Sequence, residues 1–142
     1  MGVQLKQLGD GSMGLEGRDL DTGAFIQQSM AVNAASPATQ IIFTASRAIR
    51  IQGLRYRVEV SGTGGACTFV INKAPSGTAI SAGTTVHSGT FNVAGTAATS
   101  QTGTVLTTTG VANMAAGDSL GMIITGTATS AVGAVTVWAN PL

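Results

Sequence analysis

The chain has 142 residues, a formal net charge of +1 and a single cysteine, Cys67. These bound it to one domain with no intrachain disulfide and no cysteine-based zinc site. Charged residues make up 9% and nearly vanish after residue 60. The remaining 82 residues carry only Lys73, Asp118 and His87 as charge-bearing side chains, among 17 Thr, 14 Ala and 13 Gly. Catalytic, metal and nucleic-acid sites gather ionisable groups, so the composition points to a structural or binding protein, not an enzyme, with no cofactor. Mean hydropathy is positive, unlike a disordered chain. No apolar run reaches the ~18 residues of a membrane span, and residues 1–25 lack the apolar core of a signal peptide. The expectation is a protein made in a cytoplasm, without nucleic acid or membrane as partner. Aromatics are only 4%, so the core is lean and stability borrowed from sister subunits is expected.

In chain order, residues 1–23 read as an extended arm. Its glycines oppose a helix, at about 1 kcal/mol each relative to Ala. Val3, Leu5, Leu8, Met13, Leu15 and Leu20 fit no period and need a partner surface to cover them, on a sister subunit or a larger assembly. Asp19, Asp21 and Gly23 resemble the opening of a calcium loop, but its twelfth position is Met30, so a solvated turn is the better reading. Residues 24–142 read as an antiparallel β-sandwich of about eight strands. These are Phe25–Val32, Gln40–Ala45, Ala48–Val60, Ala66–Asn72, Val86–Val93, Gly103–Thr108, Ser119–Thr125 and Val132–Ala139.

The strand Ala48–Val60 is the most legible. Ile49 and Ile51 share one parity, and Leu54, Tyr56, Val58 and Val60 share the other. A β-bulge at Gly53 puts all six on the core side and Arg50, Gln52, Arg55, Arg57 and Glu59 on the opposite face. That face is read either as solvated or as a docking face for acidic protein. Asp118, in the turn Asn113–Asp118, is expected to bond the turn backbone. His87 has no nucleophile–acid partners and reads as a surface or loop histidine. Trp138 and Tyr56 read as core or interface residues, with sugar stacking the less favoured use.

The segment Ala48–Leu142 resembles tailed-phage head decoration (cement) proteins. The likeness lies in AIRIQGLRYRVEVSG, a Thr/Gly-rich middle, and MAAGDSLGMIITGTATSAVGAVTVWANPL, about two-thirds of the chain. The resemblance implies a jelly-roll sandwich and a homo-oligomer, with a trimer preferred. It also implies attachment to the major capsid protein on the outside of the virion, stabilising the head by bridging capsomers. The alternative is a head-fibre, tail or receptor-binding domain recognising host carbohydrate.

Overall fold

A computed structural model describes residues 39–142, together with the backbone of three short strands, β1 (Gln4–Gln7), β2 (Met13–Glu16) and β3 (Phe25–Gln27). The fold is an all-β sandwich of two antiparallel sheets. After β3 come β4 (Thr39–Thr44), β5 (Ile49–Val60), β6 (Cys67–Ala74), β7 (Thr84–Thr85), β8 (His87–Ser88) and β9 (Phe91–Asn92). They are followed by β10 (Thr99–Val105), β11 (Asn113–Met114), β12 (Ser119–Gly126) and β13 (Val132–Pro141). One sheet runs β3-β13-β5-β10-β8, with β11 beside β5; the other runs β4-β12-β6-β7, with β9 beside β6.

Within the segment expected to form an extended arm, β1 and β2 pair antiparallel as a sheet of their own, with Leu5 opposite Leu15 and Met13 opposite Gln7. Val3, Leu8, Leu20, the Asp19–Gly23 motif and residues 28–38 lie outside the described residues.

The core is built where the alternation is strongest. Along β5, Ile49, Ile51, Leu54, Tyr56 and Val58 are buried. The register against β13 shifts between Trp138, opposite Gly53, and Ala139, opposite Ile51. Gln52 is therefore the extra residue of the expected bulge, and the parity switches there. Val60 differs from expectation. It is 47% exposed, because a second register shift, between Val132 and Gly133, lets Glu59 bulge and leaves Val60 opposite Val132 at the sheet's end.

The segment Val86–Val93 is not one strand. It holds two short strands that serve different sheets, β8 pairing β10 and β9 pairing β6, after β7 has paired β6 just before it. Gly89, at φ +74°, turns the chain between β8 and β9, a backbone state that glycine adopts without strain. This excursion explains His87, which is buried and not at the surface. The edge of β6 is served by β7 at Asn72 and Lys73 and by β9 at Thr68 and Phe69. In the gap, the Ile71 N–H donates to His87 Nε2 at 3.0 Å. With Nε2 accepting, Nδ1–H donates to the Ser88 carbonyl at 3.1 Å. The imidazole thus stands in for a missing strand carbonyl.

The core's aromatic rings form one cluster across the sandwich. Tyr56 meets Phe69 edge-on at 5.0 Å, and Phe69 stacks on Phe91 at 4.9 Å. The Tyr56 ring lies over Gly133, where a Cβ would overlap it, and the Phe91 ring lies over Gly103 in the same way. The Tyr56 hydroxyl is buried without a hydrogen-bond partner. Burial first, and the neighbouring Cys67 second, push its phenol pKa up. Buried Cys67 is likewise pushed up by desolvation, so it is a neutral packing thiol.

Two outcomes follow. An unsatisfied buried hydroxyl costs about 1–3 kcal/mol, so Tyr56→Phe keeps the ring, loses the orphan and stabilises the fold by about 1 kcal/mol in urea unfolding. Burial holds the His87 pKa below its usual value, with the Ser88 bond opposing in part. The unfolded chain then binds the extra proton first. Stability from His87 is complete above the usual histidine pKa of about 6.5 and falls as pH drops from there toward the folded pKa. Melting curves between pH 7.5 and 5 should show this loss, and His87→Gln should be less stable at pH 7.5 but flatter across that interval.

Candidate functional site: the arginine face of the β5 sheet

β5 lies in the middle of its sheet, so its outward residues occupy the centre of an open face. Arg50, Gln52, Arg55, Arg57 and Glu59 are all exposed there, so the three predicted arginines do share one face. Cross-strand register supplies their neighbours. Ser100 and Ala134 flank Arg57, Thr102 and Thr136 flank Arg55, and Asn113 and Asn140 flank Arg50. Val60 and Val132, 47% and 45% exposed, form an apolar pair beyond Arg57.

Each arginine has a different environment. The Arg57 guanidinium meets Glu59 at 3.2 Å in an exposed pair, and such pairs contribute little. Arg55 sits over the Trp138 ring with its Cζ 6.0 Å from the centroid, the outer limit of a cation–π contact. Among the described residues, the Arg50 guanidinium has no hydrogen bond or ion pair.

Trp138 is the residue that strand periodicity leaves unassigned. It is half-buried on the outward side of β13, opposite Gly53. Its indole lies across Gly53, where a Cβ would overlap the ring. Gly53 therefore stands beside the bulge residue Gln52 and serves as the seat for the indole. The signal available in the sequence was a Gly in the longest strand, which marks a close approach as readily as a bulge. With Gly53 on one side and Arg55 above, the ring is a rigid part of the face and not a bare stacking platform.

Beside Arg50 the face is bounded by the loop from Leu106 to Ala112. Two adjoining cavities, of about 190 and 220 Å³, share Arg50, Leu106, Thr107 and Ala112 in their walls. The loop is strapped down by Lys73, whose Nζ donates to the carbonyls of Gly110 at 2.8 Å and Asn113 at 2.6 Å. Asp118 acts as expected of it: the Ala115 N–H donates to its Oδ2 at 2.9 Å. Among the described residues no three His, Cys, Asp or Glu side chains gather in a metal-holding group, and no helix is long and apolar enough to cross a membrane.

Comparison with protein-family models, curated proteins and solved structures finds no match to this chain. The site is therefore read from its own chemistry.

Gly53→Val tests the seat. Filling an occupied space costs about 1–3 kcal/mol. Denaturant melts should show that loss, and Trp138 emission in the folded protein should shift to the red as the displaced indole meets water.

Proposed function

We propose that this protein is a structural virion component, a decoration or cement protein that docks on the outside of a phage head and bridges capsomers. It acts as a homo-oligomer, with a trimer preferred, and its partner is the major capsid protein. The virion setting rests on the resemblance of Ala48–Leu142 to that class. The docking role is carried by one observation: in a body almost without charge, three arginines and the chain's only tryptophan share one open sheet face. Arg and Trp are the residue types most concentrated at interface hot spots. The exposed Val60–Val132 pair adds apolar area to the same face. The Thr-lined remainder is soluble yet poor in charge, which limits nonspecific attraction to other polyions. Bridging oligomers gain avidity, so each contact can be weak.

Host-carbohydrate recognition has less support, because the Trp138 ring is already covered by Gly53 and Arg55.

The combined change Arg50→Ala, Arg55→Ala and Arg57→Ala tests the docking role. Exposed ion pairs contribute about 0–1 kcal/mol each, so the triple variant should fold normally and lose roughly tenfold in affinity for the particle. Electron microscopy of purified particles should show lowered occupancy, and raised salt should reproduce it. Occupancy equal to the parent protein would assign the face to solvent.

A further inference from the structure

We infer that the groove between Arg50 and the Leu106–Ala112 loop is a receptor for a single carboxylate side chain, an Asp or Glu presented on an extended segment of a partner protein. This refines the docking reading above, and rests on it only for which protein carries the carboxylate.

The groove has one cation and a wall of neutral donors. Arg50 is exposed and, among the described residues, is left without an acceptor, while Arg57 has Glu59 and Arg55 has Trp138. The cavities around it are lined by Thr107, Thr108 and Thr109, and by Gln52 and Asn113. A guanidinium fork binds a carboxylate through two parallel N–H donors, and hydroxyl and amide groups beside it can serve the flanking peptide backbone.

The wall is held in place before any ligand arrives. The Leu106 N–H donates to the Val86 carbonyl at 2.9 Å, and the Ala112 carbonyl accepts from the Ile51 N–H at 2.9 Å, so both ends are fixed. Between them the Val111 N–H closes a turn onto the Thr108 carbonyl at 3.1 Å, and the Asn113 N–H closes another onto Gly110 at 3.2 Å. Lys73 ties the second turn to the opposite sheet. Of the charge-bearing side chains after residue 60, Lys73 is the only cation apart from what His87 can carry, and it is spent on this loop. A preorganised wall lowers the ordering cost of binding.

Composition selects the ligand. The walls set one guanidinium beside neutral polar residues, which suits one carboxylate with its adjoining backbone. A nucleic-acid strand needs several cations along its phosphates, and here there is one. A sugar site uses an aromatic platform, and no aromatic residue is in the walls.

The probe is the tripeptide acetyl-Gly-Glu-Gly-amide, with its Gln counterpart and glucuronate as comparisons. Each is titrated into isotope-labelled protein and followed by amide and Arg Nε–H NMR. A lone exposed pair implies an affinity of about 1 mM or weaker. The Glu peptide should give saturable shifts confined to Arg50 and residues 106–113, and the Gln peptide should give none. Arg50→Gln should weaken the Glu peptide by up to about fivefold, with Arg50→Lys between the two. Equal shifts from the Gln peptide would overturn carboxylate recognition. Undiminished binding by Arg50→Gln would overturn the assigned residue. Tighter saturation of the same amides by glucuronate would make the groove an acidic-sugar site and overturn the peptide reading. The titration contains no particle, so its failure and a failure of capsid docking are separate results.

Discussion

Three rings laid over three glycines set the shape of this sandwich. Tyr56 covers Gly133, Phe91 covers Gly103 and Trp138 covers Gly53. A chain with six aromatic residues cannot fill the roughly 10 Å between sheets with rings alone. It gains contact by letting each ring close on the backbone of an adjacent or facing strand, an approach that a Cβ would block. The two inner glycines let Tyr56 and Phe91 close around Phe69, so the aromatic mass is concentrated between the sheets. The remaining core is Ile, Val, Leu, Met and Ala, with Cys67. The orphaned Tyr56 hydroxyl is a local cost of that arrangement, since the ring is buried deeply enough to lose water but meets no acceptor.

The third ring links the core to the surface. The bulge at Gln52 puts Gly53 opposite Trp138, the indole settles on it, and Arg55 rests above the indole. The strand that contributes Ile49, Ile51, Leu54, Tyr56 and Val58 to the core therefore also presents its arginines outward. Core burial and the face proposed for docking depend on the same register.

The few polar groups of the remaining body act as straps. Lys73 holds the Gly110–Asn113 turn, Asp118 closes its own turn on Ala115, and His87 completes the ladder at Ile71. Buried Asn72 is satisfied on both sides: its Nδ2 donates to the Ile80 and Gly83 carbonyls, and its Oδ1 accepts from the Thr85 hydroxyl. Gln101 exchanges two hydrogen bonds with the Asn92 backbone, both at 2.7 Å, tying β10 to β9 across the sandwich edge. These groups fix loops in a protein that has little side-chain mass to pack them. The charges of β5, by contrast, face outward.

The sequence by itself determined what depends on local period and turn chemistry. The parity switch in β5, the strands β4, β6, β12 and β13, the Asp118 turn and the common face of Arg50, Arg55 and Arg57 could all be read from it. Side chains alternate across a strand whatever that strand pairs with. Pairing itself was decided only in three dimensions. Val86–Val93 has a strand's composition, yet its pieces serve different sheets, because each backbone group bonds whichever edge the fold brings near. Thr99–Thr102 reads as loop, having no apolar alternation, and becomes strand because β5 offers it a ladder. His87 looks peripheral until the gap at Ile71 exists to need an acceptor, and Gly53 looks like a bulge alone until Trp138 arrives from a strand 85 residues later. Each depends on a partner distant along the chain, and a local pattern carries no record of that partner.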